Sequence, residues 1–411
     1  MLLKLAWRNI IYRPFSSGLS IILLASSIMI IVLALLTMQQ LEDKFDENAN
    51  KVDLVVGAKG SRLQLVLCNI FHIDNPTGNI NLEDIDFLSK HPFVKSAVPI
   101  SLGDNYKSYR IVGTQESFIN NLYSSKLAVG KLFKKSQEVV LGANVAKTLK
   151  LKIGDSFYGS HGIEASLHQH ENAKYKVVGI LSPTGQIIDN LLLTSLQTIW
   201  DAHADSHQKG SFDLKKEIKH DHAHHHEKTT KEITALLINY SSPRAKFSIP
   251  GLVNKKKQLI GAEPAIEIQR LLDLIYPAVK VVSILAWFIF GLSFLSMLVT
   301  MINSLKDRKY EVAMMRVSGA TSKIVIFSIL LEGFLLSFIG SLIGLLMGHF
   351  LMSIMGVYLT NSYHYQFTGF IFNTLELWIF LGAVLIGVIA AFSPAISSYK
   401  IDISRTLKNK I

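Results

Sequence analysis

Four long apolar runs, three without a charged residue and the third interrupted only by Glu332 and His349, constrain this 411-residue chain more than any other feature of its sequence. The first run, residues 18–38, would form a helix of roughly 32 Å, which is enough to cross the hydrocarbon core of a bilayer. The other runs lie near 281–305, 324–351 and 377–396. Since nothing between 41 and 275 reaches this length, the sequence predicts four transmembrane helices and one large domain inserted after the first.

The basic start of the chain raises the alternative of a cleaved signal peptide. Lys4, Arg8 and Arg13 precede the first apolar run, as they would in such a peptide. However, the apolar part of a signal peptide has about 7–15 residues and is followed by an A-x-A cleavage site. Neither condition holds, so we expect a retained helix.

Positive charge in the short connecting segments predicts the orientation. The loop between the second and third runs carries five Lys and Arg residues and the C-terminal tail carries four, whereas residues 352–375 carry none. Because basic residues in short loops stay on the cytoplasmic side, both termini and the 306–322 loop are expected in the cytoplasm of an inner-membrane protein. The long inserted domain is then extracytoplasmic.

The resulting prediction divides the chain into nine segments. They are an amphipathic cytoplasmic helix (1–17), a first span (18–40), an extracytoplasmic domain (41–275) with a His-rich insertion (203–231), a second span (276–305), a cytoplasmic segment (306–322), a third span (323–351), an extracytoplasmic loop (352–375), a fourth span (376–398) and a cytoplasmic tail (399–411).

The inserted domain is predicted to be an α+β domain. Strand-like runs occupy 94–101, 108–112, 175–180 and 233–240, and helical patterns occupy 81–90, 142–150 and 195–207, the first of them capped by Asn81.

The net charge of the chain, +11, could suggest a nucleic-acid partner, but the basic residues form no nucleic-acid-binding motif. The single cysteine, Cys68, excludes an intramolecular disulfide and is expected to be a small buried side chain.

The cytoplasmic segment carries a motif that resembles a known family. Residues 307–320 read DRKYEVAMMRVSGA, which is similar to the E-x-A-x-x-R-x-x-G-A coupling segment of the MacB/FtsX-like permeases, the type VII ABC transporters. Ser318 stands where leucine is more usual. Residues 5–14, 138–155, 175–181 and 393–402 also resemble parts of that family.

The resemblance implies a permease subunit that dimerises with a second permease copy and binds a separate cytoplasmic ABC ATPase. The residues that would carry the ATPase coupling are Arg308, Glu311, Met314, Met315, Arg316, Gly319 and Ala320. As a helix, the segment would place Val312, Met314 and Met315 on one side and Arg308, Lys309 and Glu311 on the other. A passive loop on the lipid surface is the alternative.

The chain itself lacks the signature of an ATPase. A Walker A motif needs G-x-x-x-x-G-K-[ST], and the nearest match, Gly57 to Ser61, is too short. No nucleophile and base stand at a usable spacing either. We therefore expect no enzyme activity in this chain, with ATP and Mg²⁺ bound by the partner.

Two features of the third span suggest close helix packing. Gly340, Gly344 and Gly348 form a repeated small-residue face that allows helices to approach each other. Glu332, an ionisable residue inside the span, is expected to face protein rather than lipid. We interpret it as a hydrogen-bonded group at a helix interface and not as a proton relay.

The inserted domain also contains a cluster of histidines. Pairs four residues apart place two imidazoles on one helix face, the arrangement that chelates zinc or a similar ion. The candidate ligands are His203, His207, His220, His222, His224, His225 and His226. A solvated low-complexity insertion is the alternative, and the family pattern does not require these residues.

The sequence thus favours an ABC transporter permease that transmits ATP-driven movement to its extracytoplasmic domain, for export or metal-linked transport. A membrane-anchored regulator of an envelope enzyme and a metal-binding receptor are the alternatives, and an extracytoplasmic partner would fit either. Membrane lipid is an expected partner, and nucleic acid is not.

Overall fold

The computed structural model describes residues 2–161, 169–209, 231–363 and 367–399. The chain separates into two compact units. One comprises Met1–Glu42 with Leu274–Ile411, and the other is Asp43–Asp273.

Eleven α-helices are described. They are α1 (Leu2–Tyr12), α2 (Pro14–Ala49), α3 (Arg62–Asn69), α4 (Leu82–Ser89), α5 (Ala143–Leu149), α6 (Leu196–Lys209), α7 (Ala245–Asn254), α8 (Pro264–Asp307), α9 (Lys309–Val317), α10 (Ser322–Tyr363) and α11 (Thr374–Tyr399).

Four of these helices, α2, α8, α10 and α11, are long and apolar enough to cross a membrane. The predicted fold class, four such helices with a large mixed domain between the first two, is therefore confirmed. Proline at the first helical position starts α2 and α8, where its missing N–H costs no hydrogen bond.

The helices extend beyond the apolar runs from which the spans were predicted. Helix α8 starts at Pro264, which places Pro277 inside the helix and not at its start. Helix α10 continues to Tyr363, so much of the predicted 352–375 loop is helical. The apolar run marks only the part of a helix that suits lipid, whereas good helix formers continue the helix into polar flanks such as Leu41–Ala49.

The core of the helical unit is built from aliphatic and small side chains. Ile28, Val32 and Leu36 of α2 are almost fully buried against Met297 of α8 and Leu336 of α10. Alanines of α11 complete the cluster. This packing leaves large apolar side chains exposed on all four long helices, as expected for surfaces that face lipid.

Twelve strands are described in the inserted unit. They are β1 (Leu54–Ala58), β2 (Ile80–Asn81), β3 (Val94–Tyr106), β4 (Tyr109–Thr114), β5 (Leu127–Gly130), β6 (Glu138–Leu141), β7 (Ser156–His161), β8 (Gln169–Leu181), β9 (Leu192–Ser195), β10 (Glu232–Ile233), β11 (Ala235–Tyr240) and β12 (Leu259–Ala262).

Ten of these strands form one mixed sheet in the order β12-β1-β11-β3-β4-β9-β6-β8-β5, with β7 paired to β3 and β8. The pairs β4–β9 and β6–β8 are parallel. Strands β2 and β10 form a separate two-stranded ladder. Asn81 occupies the N-cap position of α4 as predicted, but its side chain makes no capping hydrogen bond.

Candidate functional site

Helix α9 and the turn that follows it form the predicted coupling segment. Gly319 has a φ of +93°, in the left-handed region. The N–H of Gly319 donates to the carbonyl of Arg316 (3.2 Å), and the N–H of Ala320 donates to that of Met315 (2.9 Å). This pair of bonds is a Schellman motif, which ends a helix and favours glycine at the left-handed position. The Gly-Ala pair of the motif therefore has a structural role in ending α9.

The beginning of α9 is held by a buried acid. The Nη1 atom of Arg308 lies 3.3 Å from Oε2 of Glu332 on α10, and Nε lies 3.1 Å from the carboxylate of Glu311. Glu332 also accepts from Asn9 of α1 (3.5 Å) and from Ser304 of α8 (3.4 Å). One carboxylate therefore connects three helices to the start of α9.

A second ion pair lies close to this network. Arg13, between α1 and α2, pairs with Asp307 at the end of α8. Asp307 is two residues before α9 begins. The α1–α2 junction is thus tied through Arg13 to the end of α8, just before the coupling helix.

The two sides of α9 differ from the predicted division. Val312 and Ala313 are buried, but Met314 is 45% exposed. The side chain of Arg308 is only 12% exposed because it reaches Glu332. The prediction was therefore wrong for Met314, because the helix turns Ala313 inward and leaves Met314 exposed. It was also wrong for Arg308, because this residue lies just before the helix starts and its side chain points inward.

The outward side of α9 carries a row of large side chains. Tyr310, Met314 and Val317 are 38%, 45% and 62% exposed and stand at positions i, i+4 and i+7. This spacing places them along one face of the helix. Arg316 is half-buried and Glu311 is exposed.

A cavity of about 980 Å³ adjoins α9. Its lining comes from α1, the last turns of α8, α9 with its terminating turn, and the first turns of α10. The walls are mostly apolar, including Leu5, Met301 and Ile329. Lys4 and Arg8 from α1 contribute basic side chains.

The glycines of the third span lie against α2. A Cβ atom on Gly344 would stand 2.6 Å from the carbonyl oxygen of Ala25. Cβ atoms on Gly340 and Gly348 would meet Leu24 and Val32 at 3.0 and 2.9 Å. The three residues thus line a close approach between two helices of the same chain.

Sequence reasoning missed a polar cluster where α10 and α11 meet. The imidazole of His349 is buried. Its Nδ1 atom lies 2.6 Å from the carbonyl oxygen of Gly369, and its Nε2 atom lies 2.8 Å from the carboxylate of Glu376. Gln40 of α2 bonds both the N–H and the carbonyl of Thr368, at 2.9 Å each. His349 and Glu376 interrupt apolar stretches, which is the signal that could have identified them.

The metal site predicted from the histidines stays a prediction. His203 and His207 fall on α6, and His220, His222, His224, His225 and His226 lie outside the described residues. Among the residues that the structure describes, no group of three or more His, Cys, Asp or Glu side chains could hold a metal ion.

The inserted unit contains a second buried polar group that the sequence did not indicate. Arg110 donates to Sγ of Cys68 (3.4 Å) and to the carbonyl of Asp74 (2.9 Å). Burial raises the pKa of the Cys68 thiol to about 11, so Cys68 behaves as the inert buried side chain expected of it. Burial and the nearby Arg110 charge lower the pKa of His72 to about 3. Both ring nitrogens of His72 are buried without a hydrogen-bond partner among the described residues.

The architecture defines a multi-pass membrane protein with a large mixed α/β domain inserted after its first long helix. Comparison with protein families gives the same organisation. Residues 17–224 match the MacB-like periplasmic core domain, and residues 283–403 match the FtsX-like permease C-terminal domain. The chain belongs to the MacB/FtsX-like family of ABC transporter permeases. The family resemblance drawn from the sequence is thereby confirmed.

Two extracytoplasmic regions are among the solved structures that the comparison found. The periplasmic region of MacB from Actinobacillus actinomycetemcomitans is 16% identical, with 56% of this chain and 97% of that chain covered and a TM-score of 0.34. The extracellular domain of the noncanonic ABC-type transporter YknZ from Gram-positive bacteria is 12% identical, with 51% and 98% covered and a TM-score of 0.31. A search among curated proteins found no match. The family assignment rests on the two family models.

Proposed function

We propose that this chain couples ATP hydrolysis by a separate cytoplasmic ABC ATPase to movement of its inserted domain. The observation that carries the proposal is α9, a short helix that is buried on one side and presents a row of large side chains on the other. Val312 and Ala313 attach it to the bundle, while Tyr310, Met314 and Val317 point outward. An exposed apolar row at this spacing is what a helix presents to a groove in a partner.

The attachments of α9 support its use as a mechanical link. Through Glu332 and Arg308, displacement of α9 acts on α1, α8 and α10. The Schellman motif fixes the opposite end of the helix. A partner that moves α9 would therefore move helices and not merely a surface loop.

Orientation of the chain belongs to the same proposal. The positive charge of the short segments favours a cytoplasmic position for both termini and for α9, with the inserted domain outside an inner membrane. A homodimer or heterodimer of permease chains would then bind two ATPase copies. Mg-ATP would be bound by the ATPase, and this chain would supply no catalytic group.

Photocrosslinking in intact cells tests the contact. A photoreactive amino acid at Met314 or Val317 is expected to crosslink to a protein that carries a Walker A motif. The same probe at Met347, which is 43% exposed on a membrane-spanning helix, is the matched control and is expected to label no such protein. If Met314 and Met347 give the same products, α9 lies on lipid and the proposal fails.

Purified complexes provide a second test. Met314→Asp places a charge in the apolar row and is expected to reduce co-purification of the ATPase at least tenfold. Arg316→Gln is expected to preserve assembly and weaken the dependence of ATP hydrolysis on the permease. Lys323→Gln removes a charge outside the row and should change neither.

A further inference from the structure

We propose that the cavity beside α9 binds one anionic phospholipid, with an acyl chain between the helices and the phosphate at Lys4 and Arg8. The lipid site is defined without the ATPase, although Tyr310 and Met314 of the exposed row on α9 also line the cavity. Only the influence of lipid on coupling rests on the function proposed above.

The shape and lining of the cavity suit a hydrocarbon chain. Its volume of about 980 Å³ is at the upper end of the range for small-molecule sites. Leu2 and Leu5 of α1, Met301 and Leu305 of α8 and Val325 and Ile329 of α10 line it. An apolar enclosure of this size favours an aliphatic ligand over a free inorganic anion.

The charges of the lining favour an anionic head group. Lys4 and Arg8 are one helical turn apart, so both lie on the side of α1 that lines the cavity. The two acidic residues of the lining, Glu311 and Glu332, both accept from Arg308. Neither Lys4 nor Arg8 pairs with a carboxylate in the described part of the chain. Two basic side chains therefore remain for a phosphate.

The position of α1 makes lipid available. On the side away from the cavity, Leu3, Trp7 and Ile11 are 60%, 47% and 57% exposed. An amphipathic helix with an exposed tryptophan and basic residues lies in the interface between lipid and water. The cavity lies beside this helix, where α8 ends and α10 begins, so lipid head groups would be its nearest neighbours.

Bound lipid would support the coupling helix. Val312 and Met315 of α9 belong to the lining, together with Tyr310 and Met314, so an acyl chain would pack against that helix. An empty cavity leaves these contacts unmade. We therefore expect anionic lipid to stiffen α9 and to strengthen the response to the ATPase.

Lipid retention by the purified full-length chain, without any ATPase, tests the site. The protein is exchanged into micelles containing equal amounts of dioleoyl phosphatidylglycerol and dioleoyl phosphatidylcholine, and bound lipid is measured by native mass spectrometry. We expect one phosphatidylglycerol per chain, retained roughly tenfold more than phosphatidylcholine. The double substitution Lys4→Gln/Arg8→Gln should remove this preference.

Two further variants separate the cavity from general surface charge. Lys306→Gln/Lys323→Gln removes the same charge from exposed residues outside the lining and should retain the lipid. Ser328→Phe fills the cavity from α10 while keeping both cations and should exclude the lipid. Size-exclusion chromatography and circular dichroism establish that each variant is folded.

Three outcomes would overturn the inference. They are equal retention of the two lipids by the unmodified chain, equal loss in the two double variants, and complete displacement of phosphatidylglycerol by free glycerol phosphate. The last result would indicate a site for a soluble anion. Photocrosslinking at Val317, which lies outside the lining, is a separate measurement. Failure of lipid binding therefore leaves the ATPase contact standing, and the converse also holds.

Discussion

Arg308 and Glu332 join the coupling helix to the membrane-spanning bundle through a largely buried ion pair of 3.3 Å. The side chains are 12% and 5% exposed, so water screens the pair only weakly. The Glu332 carboxylate also accepts hydrogen bonds from Ser304 and Asn9. A carboxylate at this position is therefore a junction between helices, in agreement with the structural interpretation of the sequence.

Replacement of the acid tests this junction. Glu332→Gln preserves shape but leaves the buried guanidinium with only the exposed Glu311, so we expect a loss of about 2–3 kcal/mol in the free energy of unfolding. Denaturant titration of the purified chain measures it. In a double-mutant cycle with Arg308→Gln, the combined loss should be smaller than the sum of the single losses. Strict additivity would show that the two residues do not interact.

The end of α9 depends on a backbone conformation that most residues avoid. Gly319→Ala has ample space, since no atom lies within 4 Å of the added Cβ, but it must adopt a φ of +93°. We expect a cost of about 1 kcal/mol and faster amide hydrogen exchange in residues 314–320. Gly319→Asn, which tolerates this conformation better, should restore much of the protection. Identical exchange in both variants would refute the explanation.

The glycines of α10 should be sensitive to the smallest added side chain. A methyl group on Gly344 would press on the Ala25 backbone of α2, and overpacking of this kind costs about 1–3 kcal/mol. Gly344→Ala is therefore expected to lower the melting temperature of the purified chain. Gly291→Ala on α8 is the control, because its Cβ would meet nothing within 4 Å. A melting temperature lowered equally by both would mean that helix flexibility, and not the approach to α2, is responsible.

His72 should make the stability of the inserted domain depend on pH. Its folded-state pKa is about 3, below the unfolded value of 6.5, so the stabilisation is fully present above pH 6.5 and is lost as the pH falls towards 3. The expected loss is about 2 kcal/mol between pH 6.5 and pH 5. Hydrogen exchange in β1 and α3 of the full-length chain, followed over this range, measures it.

His72→Asn removes the titrating group and suits the left-handed backbone at this residue, where φ is 55°. The slope with pH should therefore decrease in this variant. His91→Asn is the comparison variant. It replaces a histidine that accepts a hydrogen bond from the Phe93 amide, and it should retain the slope of stability with pH. An unchanged slope in His72→Asn would assign the pH dependence to other groups.

Hydropathy alone predicted the four long helices, because a bilayer imposes a minimum apolar length on each span. It could not predict where they end. Residues 264–274 and 352–363 lie outside the apolar runs, so the requirement for an apolar span does not apply to them. The helices continue there because the local residues favour helix.

The candidate site was only partly predictable for a different reason. The motif located α9, and its Gly-Ala pair is consistent with the observed helix end. The direction of the Arg308 side chain was not predictable from the motif, because it depends on the residue at which α9 starts. The contact of Asn9 with Glu332 joins residues 323 positions apart, and no local pattern records such a pair. The same holds for His349 with Glu376.

The surroundings of His349 impose a condition on its hydrogen atoms. The carbonyl of Gly369 can only accept, so Nδ1 must donate, and Nε2 then faces a carboxylate of Glu376 at 2.8 Å. Drawing α10 away from α11 at this end would separate the imidazole from a carboxylate that is itself buried, and neither group would then have its partner. The contact therefore acts as a latch that holds the two helices together at this end.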